Sequence, residues 1–70
     1  MKSYLVIYER TDDGAWGAHS PDLEGVFALG TTREEVEARM AEALGAHLQA
    51  LCDLGRPLPQ PRTEVGYLTA

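Results

Sequence analysis

Metal ligation by this chain would require His19, His47, Cys52 and nearby carboxylates to converge. His47 and Cys52 are five positions apart, which sets them about 140° apart around a helix of 3.6 residues per turn. Neither zinc-finger nor two-histidine spacing occurs, so the sequence predicts no metal site. Nucleophilic catalysis finds no better footing. Ser3 and Ser20 lack a nucleophile-elbow context, and Cys52 has no basic neighbour in helical register to lower its pKa. Acid–base chemistry wants carboxylates facing one another across a cleft. Here Asp12 and Asp13 belong to a turn, and Glu34, Glu35, Glu37 and Glu42 to a solvated helix. No glycine-rich phosphate loop is present. The expectation is a non-enzyme without a cofactor.

The elements that would position these residues come from a chain of 70 residues, enough for one domain. At about that size only roughly 60% of the unfolded surface is buried, so such domains often lean on disulfides, metals or subunit contacts. A single cysteine excludes an internal disulfide. The apolar fraction of 44% suits a globular protein. No apolar run approaches the roughly 20 residues of a membrane span, and no charged-then-apolar leader opens the sequence. These features predict a cytoplasmic protein with no membrane contact.

Ser3 to Arg10 is rich in β-branched and aromatic residues and predicts a strand. Leu5 and Ile7 fall on one of its faces, Tyr4, Val6 and Tyr8 on the other. A strand apolar on both faces needs cover on both. One helix supplies one cover; the second must come from elsewhere. Thr11-Asp12-Asp13-Gly14 reads as a hairpin turn, followed by a strand from Ala15 to His19 or Ser20 with Trp16 and Ala18 on one face. Pro21 stops it. After the connector Asp22-Leu23-Glu24-Gly25, Val26 to Leu29 predicts a third strand ending at Gly30.

Thr32 and Glu35 fit a capping box. Val36, Met40, Leu44, Leu48, Leu51 and Leu54 then recur at helical spacing, predicting an amphipathic helix from Arg33 to Leu54 with Leu44 and Leu48 in the core. Gly55 and Pro57 mark its stop. Ala38, Ala41, Gly45 and Cys52 make one flank small, which suits close approach of another backbone as well as it suits a merely alanine-rich helix. Pro57, Pro59 and Pro61 predict an extended connector, and Glu64 to Thr69 a short last strand with Val65 and Tyr67 on one face. The predicted fold class is α+β, in the order β-β-β-α-β, a small antiparallel sheet with one long helix on one face.

Charge narrows the partners. Six basic residues (Lys2, Arg10, Arg33, Arg39, Arg56 and Arg62) face eleven acidic ones, giving a net charge of −5. Scattered cations on an acidic chain do not neutralise phosphates well, so direct DNA binding by this chain alone is not expected. A basic partner suits it better.

Taken together, Tyr4 to Tyr8, Asp13-Gly14, Ser20-Pro21-Asp22-Leu23-Glu24-Gly25, Gly30-Thr31-Thr32-Arg33-Glu34-Glu35 and Gly55-Arg56-Pro57-Leu58-Pro59-Gln60-Pro61 form an ordered pattern. It resembles the HicB family, the antitoxin side of HicA–HicB toxin–antitoxin modules, over nearly the whole chain. The chain departs from the family pattern at Glu24 (usually Pro), Val26 (usually Cys), Thr31 (usually Asp) and Val36 (usually Ala). Thr32 still supplies the cap and Val36 the core position.

The resemblance implies a truncated RNase-H-like fold without the nuclease's acids, assembled as a dimer or larger oligomer. It implies a partner too, a small basic HicA-type toxin that cleaves mRNA and whose site the antitoxin masks. Many family members continue into a DNA-binding domain; the expectation for residues 1–70 is a single HicB-like domain without one. The motif residues Asp13, Gly14, Pro21, Asp22, Leu23, Gly25, Gly30, Thr32 and Glu35 have mainly structural readings, while Asp12, Asp13 and Glu24 are candidate partner contacts. An orphan oligomeric module that binds another protein or a small ligand is the alternative.

Overall fold

The computed structural model describes residues 2–70. Three strands, β1 (Ile7–Arg10), β2 (Trp16–His19) and β3 (Phe27–Gly30), precede one helix, α1 (Arg33–Asp53). The strands form an antiparallel meander in the order β1-β2-β3. Ile7 stands opposite His19 and Arg10 opposite Trp16; across the next pair, His19 faces Phe27 and Trp16 faces Gly30.

This register sorts the side chains. Tyr8, Ala18 and Ala28 share the face beneath α1, whereas Ile7, His19 and Phe27 share the other, as do Glu9, Gly17 and Leu29. Ala18 and Ala28 are buried, and their small side chains bring the sheet close to Val36 and Met40, the most deeply buried residues of the helix. Leu23 and Val26 complete the core, with Tyr4, Val6, Tyr8, Trp16, Ala43, Leu44 and Leu48 packed around it, partly buried. The helix lies chiefly against β2 and β3.

The structure corrects four expectations. Residues 64–69 form no strand: the whole stretch from residue 60 to 70 is exposed, and a strand without a neighbour to share its ladder has nothing to hold it. β1 starts at Ile7, not Ser3, because β2 ends at His19 before Pro21 and offers nothing to pair with earlier residues. Leu44 and Leu48 are half-buried, not central, since one side of each faces an open groove. Leu54, placed on the apolar stripe, is the C-cap and largely exposed. Gly45 has nothing within 4 Å of the position a Cβ would take, so among the described residues no other backbone approaches the helix closely at that position.

Candidate functional site

The hairpin turn is built from its own side chains. The Thr11 hydroxyl donates to the Asp13 carboxylate, the Ala15 N–H donates to Asp13 Oδ1 at 3.3 Å, and Gly14 turns the chain at φ +87°. Hydrogen bonds from Thr11 and then from the Ala15 backbone hold the Asp13 carboxyl below its ordinary range. Asp13 is therefore committed to the turn, and Asp12 beside it is exposed.

The connector after β2 does more than turn. The buried Ser20 hydroxyl donates to the Leu5 carbonyl at 2.8 Å, tying the chain ahead of β1 to the end of β2. The Leu23 N–H donates to the Ser20 carbonyl at 3.1 Å, dropping the Leu23 side chain into the core, while Pro21 stays exposed. Gly25 reverses the chain at φ +76°, a conformation that disfavours other residues. Asp22 reaches 40 residues along the chain. Its carboxylate accepts the Arg62 N–H at 3.1 Å, the Thr63 N–H at 3.2 Å and the Thr63 hydroxyl at 2.8 Å. The Thr63 hydroxyl, more than any other cause, holds the Asp22 carboxyl below its ordinary range. Sequence reading assigned Asp22 to a local turn; no local signal marks a bond across that separation.

Helix entry follows the capping box with one change. Thr32 Oγ1 accepts the Glu35 N–H at 3.1 Å, and Glu35 Oε1 accepts the N–H of Thr31, one residue before the cap, at 3.2 Å. Glu35 also pairs with Arg39 at 3.2 Å, as their spacing predicts. Gly30 packs tightly here: a Cβ would lie 2.7 Å from Glu35 Oε1, which can swing away, and 3.0 Å from Val36 Cγ2, which would have to give slightly. Arg39 further donates to the Leu29 carbonyl at 2.5 Å, engaging a carbonyl of the edge strand β3.

These motif residues thus close the fold around the helix face and leave the opposite sheet face open. Phe27 is 64% and Leu29 63% exposed there. Half-buried Ile7 adds apolar surface on β1, separated from Phe27 by His19, and Glu9 lies 3.7 Å from His19 Nδ1. Among the described residues no group of three or more His, Cys, Asp or Glu side chains is placed to hold a metal ion. The exposed surface offers apolar contact and negative charge, the makings of a protein-binding surface.

Residues 4–70 match the family profile described as the HicB-like antitoxin of bacterial toxin–antitoxin systems. The chain belongs to the HicB-like antitoxin family. A UPF0150 protein of Thermoplasma acidophilum is 30% identical over 61 residues, 87% of this chain and 88% of that protein. A second UPF0150 protein, from Synechocystis, is 31% identical over 83% of this chain and 73% of its own length. The crystal structure of the N-terminal domain of Burkholderia pseudomallei antitoxin HicB superposes with a TM-score of 0.66, at 23% identity, over 93% of this chain and 68% of that one. That structure shares the α+β architecture, a three-stranded antiparallel sheet followed by one long helix.

Against this HicB-like frame, two of the three candidate partner contacts, Asp12 and Glu24, are exposed. Asp13 is engaged in its turn. Sequence reading passed over Phe27 and Leu29. Their alternation with buried Ala28 along β3 was the signal that could have found them.

Proposed function

We propose that this chain is a HicB-like antitoxin that binds and inhibits a small basic HicA-type, mRNA-cleaving toxin through the open face of its sheet. The observation that carries the reading is the exposed Phe27–Leu29 strip with Ile7 and Glu9 on a chain of net charge −5 that belongs to an antitoxin family. Apolar side chains at the centre of such a face supply affinity, and exposed acids such as Asp12 and Glu24 speed encounter with a cationic protein. The antitoxin itself performs no catalysis; it works by covering the toxin's site. It acts in the cytoplasm, where mRNA is, and as a homo-oligomer. No helix among the described residues is long and apolar enough to cross a membrane.

Direct DNA recognition has no part in this reading, because six scattered cations on an acidic chain release few counterions. Tight binding of its own upstream DNA by the chain alone at physiological salt would contradict that point. The reading predicts a small basic reading frame beside this one, and the functional test is co-expression with its product. Growth arrest by that product, relieved by this chain and not by the Phe27→Asp, Leu29→Asp variant, is the expected result. A harmless neighbour, or one equally toxic with this chain abundant and folded, would favour the orphan module instead.

A further inference from the structure

Three features outside the open face fit one another. The first is an unpaired edge: among the described residues no strand lies beyond β1, and its helix-side residues are not fully covered, because α1 sits chiefly over β2 and β3. The second is the groove this leaves between β1 and the helix. It has a volume of about 390 Å³ and is walled by Tyr4, Val6 and Tyr8 on one side and Met40, Ala41 and Leu44 on the other. The third is the segment 64–69, an exposed stretch without regular secondary structure that carries Val65 at 59% exposure, Tyr67 at 93% and a fully exposed Leu68. Val65 and Tyr67 lie two residues apart, so in a strand they point to the same side.

The chain fixes where that segment begins. The Lys2 ammonium donates to the Leu58 carbonyl at 3.5 Å and the Tyr4 hydroxyl to the Pro59 carbonyl at 2.7 Å, which holds the connector across the start of the β1 region. Asp22 then grips Arg62 and Thr63. From Glu64 onward the segment is held by no hydrogen bond and projects into solvent. The Cα radius of gyration is 13.5 Å, against about 11 Å for a compact domain of this length.

We infer that residues 64–69 are a strand donated to a second copy of this chain, pairing with the free edge of its β1 and setting Val65 and Tyr67 into its β1–α1 groove. The inference specifies the interface of the homo-oligomer proposed above and is independent of the toxin reading. Each copy carries one free tail and one free edge with its groove, so two copies satisfy each other reciprocally and the assembly closes with no strand left over. The other edge of the sheet, that of β3, is a poorer acceptor because Arg39 already engages the Leu29 carbonyl. A four-stranded sheet would result in each half, and the half-buried Leu44 and Leu48 would lose their open side.

The test is sedimentation velocity of the full chain at low micromolar concentration, combined with hydrogen exchange of the 64–69 amides. Wild type is expected as a dimer, twice the 7.6 kDa chain mass, with protected tail amides. Tyr67→Asp alters only an exposed side chain; it is expected to sediment as a monomer with unchanged helical circular dichroism, its dissociation constant raised about a hundredfold. Ala41→Arg, which fills the groove from an exposed helix position, is expected to do the same from the other side. A wild-type monomer overturns the inference: with protected tail amides it shows the tail folding back on its own chain, and with unprotected ones it shows no strand at all. A dimer indifferent to both substitutions overturns it in favour of another interface. None of these outcomes depends on a toxin partner.

Discussion

The two faces of the sheet are made from neighbouring residues of the same strands, yet they end in opposite states. On the helix side Ala18, Ala28, Val36 and Met40 are buried and Gly30 leaves room for nothing more. One residue to either side of Ala28 in β3, Phe27 and Leu29 stand mostly exposed. Apolar composition alone does not distinguish these sets. Along β3 side-chain size does: Ala28 and Gly30 let the helix approach the covered face, and the larger Phe27 and Leu29 stand on the open one. The first face is finished within one molecule and the second is left for another.

If that contrast is right, substitutions on the two faces have different stability costs. Met40→Ala should cost the most, about 2–5 kcal/mol, as buried large-to-small changes do, and thermal or denaturant unfolding reads it directly. Gly30→Ala follows, at about 1–3 kcal/mol, because the new methyl meets the rigid, fully buried Val36. Leu44→Ala should cost about 1 kcal/mol in the monomer, where the side chain faces an open groove, and more in a dimer that fills it. A cost as large as that of Met40→Ala would show that the groove is filled in solution.

Acid sharpens the comparison further. The Asp22 carboxyl is held below its ordinary value of 3.8 by its bonds to Thr63 and Arg62. A carboxyl depressed on folding stabilises the docked form fully above its unfolded value, and that contribution is lost as pH falls through the lower folded value. Release of residues 62–63 is therefore expected below pH 3.8, with little change above it. Amide chemical shifts of Arg62 and Thr63, followed against pH, check this, and Asp22→Asn should show the released shifts at neutral pH.

The parts of this molecule that were legible in its sequence are those decided within a few residues. The Asp13-Gly14 turn, the Thr32 cap, the Glu35–Arg39 pair and the Gly55 stop all depend on neighbours within one turn of chain, and each stands where its residue types place it. The Asp22–Thr63 bonds depend on a contact 41 residues away, and nothing local announces them. The misjudged last strand has a related cause. Val65 and Tyr67 alternate as strand residues do, but alternation states a capacity for pairing, and a partner edge decides whether it is used. The candidate surface was missed for the same reason: Phe27 and Leu29 look like any strand residues until the helix is seen to occupy the other face.

The central claim, that the open face is the partner surface, is tested most directly by isothermal calorimetry. The purified chain is titrated against a purified small basic HicA-type toxin, using wild type and the Phe27→Asp, Leu29→Asp variant. Tight binding by wild type, at least about a hundredfold weaker binding by the variant, and a thermal midpoint of the variant close to that of wild type are the predicted results. Equal affinity of the two proteins would contradict the claim and move the partner surface elsewhere on the molecule.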